Sequence, residues 1–270
     1  MIIGIIHKGS GLGDQLFSYI ATRVRALDLG VDFGFVGKEF FKGASFMDLD
    51  WGSDTSMIST ATIMPEGKVI IPLAEKLHGL KSFELNKPYY DPEFNFIPDG
   101  SIIDGYGAQD LRYFEHRLSE IKEWLKTEPL CGTWNKVCII NFRGGEFANV
   151  PELFLPQEYW DKAIKIMEDN ITTSLDENDF LEFHVQTDDP DLAHKFFPKF
   201  HATKDIAYNW RTLRYVKNAI VSNSAFAIIP RLLKHLDNPE ATTVAPRYWA
   251  RRNTKEWINA CNYYPKFTYI

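Results

Sequence analysis

Apolar and polar positions follow two rhythms along the 270 residues of the chain. Short aliphatic or β-branched runs predict strands at Ile2–Ile6, Val69–Ile71, Ile102–Ile103, Val137–Asn141, Leu181–Gln186, Ala219–Val221 and Thr242–Val244. They are too short for helices and are bounded by turn residues. Between several of them, apolar residues recur at three- and four-residue intervals, the spacing that lines one face of a helix. Leu16, Phe17, Ile20, Val24 and Leu27 form one such stripe, with Asp14 expected as its N-cap. Tyr159, Trp160, Ala163, Ile164 and Met167 form a second, and Pro156 suits its start. A third stripe, Ile206, Trp210, Leu213 and Val216, begins near Asp205, and a fourth joins Phe226, Ile229, Leu232, Leu233 and Leu236.

The second half therefore alternates strand and helix, which predicts a parallel sheet with both faces covered. Residues 33–110 are rich in Gly, Pro and Asp turns and poor in long periodic stretches. Thr127–Thr133, between the helix-like run Glu115–Lys126 and a strong strand, reads as a linker. The expectation is an α/β protein of two domains, residues 1–130 and 131–270. The last stretch, Thr254–Ala260 and the aromatic tail behind it, is a candidate to pack back on the first domain.

Composition narrows the class. Hydrophobic residues make up 45% and charged residues 24% of the chain, which excludes a disordered chain, a collagen or a disulfide mini-protein. No apolar run approaches the length of a membrane span. The net charge of −6 gives no broad basic footprint for nucleic acid, though a local basic pocket for a small anion is compatible with it. Cys131, Cys138 and Cys261 are scattered and odd in number, and no CxxC occurs. That pattern suits a reducing compartment and speaks against structural zinc. The apolar N-terminus is too short for a signal peptide, so the expected location is cytoplasmic.

Four segments at strand ends could carry chemistry. Gly9-Ser10-Gly11-Leu12-Gly13-Asp14-Gln15 lies between a strand and a helix, where backbone N–H groups can approach an anion. Asp14 stands where a dinucleotide fingerprint requires Gly, and no Gly-Lys-Ser/Thr follows. Asn141-Phe142-Arg143-Gly144-Gly145-Glu146-Phe147 follows an apolar strand, and an Arg there can fork two oxygens of a diphosphate. Ser222-Asn223-Ser224-Ala225 precedes a helix and could hold phosphate. Gln186-Thr187-Asp188-Asp189-Pro190 places two carboxylates at a strand end, suited to a ribose or a purine N–H. Each has a plainer reading as a glycine turn, a loop ion pair, an N-cap or a capped turn. Asp48-Leu49-Asp50 has a DxD form, but so short a pattern reads as structural loop.

Taken in order, these segments resemble the bacterial alpha-1,2-fucosyltransferase family, and more broadly the fucosyltransferases with an HxRRxD motif. Gly11, Leu12, Gly13, Gln15, Leu16, Phe17 and Tyr19 match a GGLGNQMFQYA-like segment, and Gly105–Phe114 match a GYxQSxxYF-like one. Asn141–Phe147 correspond to HxRRGDY, Gln186–Asp189 to FSDD, Ile220–Ala227 to IxxNSSFS, and Val244–Trp249 to VIAPxxW. The resemblance implies a GT-B-like fold, two Rossmann-type domains facing a cleft, the second holding the nucleotide. It implies inverting transfer of fucose, or a related sugar, from a GDP-sugar donor to a glycan acceptor, with no metal and no cofactor.

Carried over by position, Arg143 would contact the β-phosphate beside Asn141, and Ser222, Asn223, Ser224 and Ala225 the phosphates. Asp188 or Asp189 would meet ribose or guanine. Gly11, Gly13 and Gln15 would belong to the donor side. Asp14 and Glu146 are the candidates for a base. The chain departs from the motif at Asn141 (for His), Gly144 (for the second Arg), Glu146 (for Asp) and Asp14 (for Asn), and Pro230 stands at a family Gly. The lost Arg removes a charge-assisted contact of about 1.5–3 kcal/mol, for which Arg231, Arg247 or Lys8 are candidate replacements. The altered motif keeps open a non-catalytic relative that binds a nucleotide sugar or a glycan. A sugar-nucleotide epimerase is a further alternative, disfavoured by the missing third Gly.

Overall fold

A computed structural model describes residues 1–56, 62–63, 69–70, 80–85, 90–132, 134, 136–172, 181–251, 257–259 and 263–270. The chain divides into two compact units, Met1–Thr127 and Glu128–Ile270. Thr133, Ile71 and most of Thr254–Ala260, which carry parts of the expected linker, second strand and tail, lie outside the described residues.

The first unit is built on a four-stranded parallel sheet. Strand β1 (Ile2–Ile5) leads into helix α1 (Leu12–Leu29) and β2 (Phe33–Val36). A small antiparallel pair, β3 (Thr62–Ile63) and β4 (Val69–Ile70), comes next. β5 (Lys81–Glu84) and β6 (Ser101–Asp104) complete the sheet in the order β2-β1-β6-β5, followed by the short helix α2 (Leu118–Trp124). Helix α1 lies close on the sheet because Gly4 has no side chain. A Cβ there would come within 2.5 Å of the Phe35 ring and the Thr22 hydroxyl. The helix starts earlier than its stripe predicts. Gly11 is the N-cap and Asp14 sits in the first turn, where a carboxylate still complements the helix dipole.

The second unit is a six-stranded, wholly parallel sheet in the order β14-β11-β10-β7-β8-β9. In sequence, β7 (Val137–Phe142), α3 (Gln157–Thr172), β8 (Glu182–Thr187), α4 (Pro190–Phe196), β9 (His201–Thr203), α5 (Ile206–Tyr215), β10 (Asn218–Val221), α6 (Ala225–Asp237) and β11 (Thr242–Ala245) alternate as expected. An antiparallel hairpin of β12 (Tyr248–Arg251) and β13 (Trp257–Asn259) precedes β14 (Thr268–Tyr269). That last strand extends the second unit's own sheet beside β11. The core packs Cys138, Ile140 and Phe142 of β7 against Tyr159, Trp160, Ala163 and Met167 of α3. Phe142 is ringed by Trp160, Phe196 and Phe197.

On the α6 side, the Thr243 hydroxyl accepts from Arg231 Nε (2.9 Å) and faces His235 Nε2 (2.9 Å). The hydroxyl proton then points at His235, which stays neutral. Burial first, then the charges of Arg231, Lys266 and Lys234, push the pKa of His235 down to about 4. An unfolded His titrates near 6.5, so between pH 6.5 and 4 the unfolded chain binds the extra proton and acidification favours unfolding. At about 1.4 kcal/mol per unit, the loss from this group reaches roughly 2–3 kcal/mol by pH 4.5. Urea unfolding at pH 7 and 4.5 should show that loss in the native sequence and a smaller one in His235→Gln. Equal losses would refute the assignment.

Candidate functional site

Ligands of open parallel sheets bind beyond the carboxyl ends of the strands, where the strand order reverses. In the second unit the chain runs outward from β7 through β8 to β9, then returns to β10 on the other side of β7. The reversal point therefore lies between β7 and β10, and the residues leaving those strands are Asn141 to Arg143 and Ser222 to Ser224.

Arg143 stands where β7 ends. Its Nη1 meets Asp188 Oδ2, its Nη2 donates to Glu146 Oε1 at 2.9 Å, and its guanidinium lies 5.1 Å from the Phe147 ring centre. Asp188 also accepts from the Gly144 N–H at 2.9 Å, so one carboxylate fixes both the side chain and the loop. Gly145 makes that possible. Its φ of +42° is left-handed, and a Cβ there would come within 2.5 Å of Asp188 Oδ2. One cation thus faces two carboxylates. Glu146 is 76% exposed at its side chain against 27% for Asp188, so its ion pair is the weaker of the two.

The other sequence-selected residues divide by role. Asn141 is buried and its Oδ1 faces the Ser222 hydroxyl at 3.2 Å, tying β7 to β10. Asn223 donates to the Leu153 carbonyl at 2.8 Å. Ser224 is the N-cap of α6 and its hydroxyl makes no capping bond, while Ala225 begins the helix. The first N–H groups of that helix have no intrahelical acceptor and point outward from its start. Asp189 caps α4, accepting from the Leu192 N–H at 3.0 Å, and so serves the helix.

In the first unit, Gln15 is buried and committed to backbone. It donates to the carbonyls of Phe40 (2.9 Å) and His7 (3.3 Å) and accepts from the Lys42 N–H (2.9 Å). These bonds fix the loops around the glycine turn. Gly11 caps α1, Gly13 is buried within it, and Asp14 accepts from Gln109 at 3.2 Å. Of the residues considered as replacements for the lost motif Arg, Arg231 is excluded, being fully buried with its guanidinium bonded to backbone carbonyls. Lys8 belongs to the first unit and lies 5.9 Å from the Phe40 ring centre; Arg247 is exposed beyond β11. Asp50 pairs with Arg23 (3.2 Å) and accepts from Gly52, as a structural loop residue would.

The sequence reading gave no role to His7 and Asp104. They meet at 2.8 Å, both buried, His7 just past β1 and Asp104 as the last residue of β6. The available signal was a polar residue closing each of two apolar strands.

No protein-family model matches the chain, and no curated protein matches it by sequence. Solved structures do. The fucosyltransferase NodZ from Bradyrhizobium aligns over 86% of this chain and 92% of its own, with TM-score 0.50 and 13% identity. The fold is GT-B-like. Arabidopsis thaliana FUT1 (mutant R284K, in complex with GDP) aligns over 93% of this chain and 70% of its own, with TM-score 0.53 and 11% identity. Among the described residues, no helix is long and apolar enough to cross a membrane, and no three His, Cys, Asp or Glu side chains gather as a metal site.

Proposed function

We propose that the chain is a metal-independent glycosyltransferase that moves fucose, or a related sugar, from a GDP-sugar to a glycan hydroxyl with inversion. The observation that carries this reading is the arrangement at the reversal point of the second sheet. There a fixed guanidinium, two loop glycines and a helix N-terminus whose N-cap hydroxyl makes no capping bond lie at the ends of neighbouring strands. Those groups suit a diphosphate. When the bond to the sugar breaks, negative charge grows on the departing oxygen, and a preorganised cation lowers the barrier by stabilising that charge. Asp188 keeps Arg143 aimed, while the exposed Glu146 yields its place to the incoming phosphates. The fold shared with NodZ, a fucosyltransferase, and with FUT1, solved with GDP, supports the choice of donor.

The test is thermal unfolding with GDP, UDP, ADP and CMP. GDP alone is expected to raise the midpoint, by an amount equivalent to roughly 2.7 kcal/mol at a hundred times its Kd. No rise with GDP, or an equal rise with all four, would overturn the donor assignment. The two carboxylates on Arg143 favour one second reading, a non-catalytic nucleotide-sugar binder. Tight GDP binding with neither transfer nor hydrolysis of GDP-fucose would select it.

A further inference from the structure

Arg143 does not stand alone at its edge of the second sheet. Strand β10 has β7 on one side and β11 on the other. The register pairs Asn141 with Val221 and Ile220 with Val244, so Ala245 is level with Asn141. Two residues further on, the chain reaches Arg143 beyond β7 and Arg247 beyond β11, with Asn223 and the N-cap Ser224 leaving β10 between them. Neighbouring strands lie about 4.8 Å apart, so the two arginines leave the sheet about 10 Å from each other, on either side of the start of α6.

We propose that Arg247 is the second cation of the donor site and holds the diphosphate together with Arg143. This inference rests on the glycosyltransferase reading above and deepens it. Three observations carry it. The first is charge. Arg143 already meets Asp188 and Glu146, so the loop after β7 carries more negative than positive charge. The start of α6 adds only about half a positive charge. A nucleotide diphosphate would be repelled there unless another cation came within reach.

The second observation is how few groups can supply it. In the first two residues beyond β8, β9, β10 and β11, the cations are Lys204 and Arg247. Lys204 follows β9, the edge strand two places beyond β7, whereas β11 borders β10 directly. The third is that Arg247 is held but uncommitted. Pro246 precedes it with a fixed φ. Ile270 donates its N–H to the Ala245 carbonyl at 3.1 Å, and the Arg247 N–H donates to the main-chain oxygen of Ile270 at 2.9 Å. The side chain itself is exposed, and among the described residues no hydrogen bond, ion pair or ring contact engages its guanidinium. A pinned backbone limits where the guanidinium can go, so less freedom is lost when it binds. From opposite sides of β10, the two forks can each take phosphate oxygens in pairs.

The experiment is calorimetric titration with GDP of the native chain, Arg247→Gln, Arg247→Lys and Lys204→Gln, with thermal unfolding of each to report the fold. Arg247→Gln is expected to weaken GDP about 10–100-fold, the loss of one charge-assisted contact. Arg247→Lys should recover part of that, because a point charge replaces a fork. Lys204→Gln makes the same change of net charge at the same edge of the sheet and should leave the Kd within about twofold, since an exposed charge away from the ligand is screened by salt. All three variants should melt with the native chain. If Arg247→Gln melts lower, Arg247→Lys decides, and it must then bind GDP more weakly than the native chain. A native Kd in the deciding variant overturns the proposal and leaves GDP binding standing. An equal loss in Lys204→Gln overturns it too, because the effect would then belong to the general field of the sheet edge. A native chain that does not bind GDP removes the glycosyltransferase reading, and this inference with it.

Discussion

Arg143→Ala is expected to lower transfer from GDP-fucose by about 10²–10³-fold, the usual cost of removing one preorganised group that meets charge developing in a transition state. Its effect on stability should be small. The side chain is 31% exposed and its partners are exposed or half-buried carboxylates, and such pairs contribute about 0–1 kcal/mol. Arg143→Lys should recover little, because a point charge cannot reach two phosphate oxygens with the fork of a guanidinium. Glu146→Gln should act in the opposite direction. It removes the carboxylate that competes with phosphate for Nη2, so GDP should bind more tightly while Asp188 still holds the loop. Initial-rate kinetics with GDP-fucose and calorimetric titration with GDP measure both effects. An Arg143→Ala protein within twofold of the native rate would place the diphosphate elsewhere, and a weaker GDP complex in Glu146→Gln would mean that Glu146 assists the ligand.

The contrast among these residues explains how much of the site the sequence could disclose. Period and turn chemistry are local, and they located β7, α3, β8, α5, β10 and α6 closely because each buries a continuous apolar face in one core. The same local logic selects Arg143 and Ser224 as candidates, because they lie at the junction of a strand or helix with a glycine- or serine-rich turn. It could not tell Asp188 from its neighbour. Adjacent carboxylates look alike in sequence, yet one folds back over Gly144 and Gly145 to hold Arg143 while the other caps α4. His7 and Asp104 were invisible for a different reason. A parallel sheet pairs strands far apart in the chain, and only the order β2-β1-β6-β5 makes them neighbours. Residues 33–110 were hard to read because β5 has little apolar character and the described residues there include turns and 3₁₀ helices such as Pro92–Phe96.

Arg231 gives the largest expected effect on stability. As a replacement for the missing motif Arg it would face a ligand; instead its side chain is wholly inside the second unit. Nη1 donates to the carbonyls of Leu213 (3.0 Å) and Val216 (2.8 Å), Nη2 to those of Lys217 (2.9 Å) and Thr242 (3.0 Å), and Nε to the Thr243 hydroxyl. The first carbonyls belong to the C-terminal turn of α5, which lacks intrahelical donors and carries the negative end of the helix dipole. One guanidinium therefore closes that helix end and joins it to β11. The arrangement costs proton affinity. Burial, with the nearby charge of Arg214 adding to it, pulls the Arg231 pKa down to about 9, so the group is still charged at neutral pH. Arg231→Met fills much of the volume but leaves these acceptors buried and unpaired, at about 1–3 kcal/mol for each that water cannot reach. Relaxation will recover part of that sum, and a net loss of roughly 3–5 kcal/mol is expected, in the range found for breaking a buried charged network. Arg231→Lys should fall between, since an ammonium offers three donors to five acceptors. Urea unfolding of the three proteins measures the series. A methionine variant within 1 kcal/mol of the native chain would mean that α5 and β11 are joined by apolar packing alone, and that the buried cation is incidental to the fold.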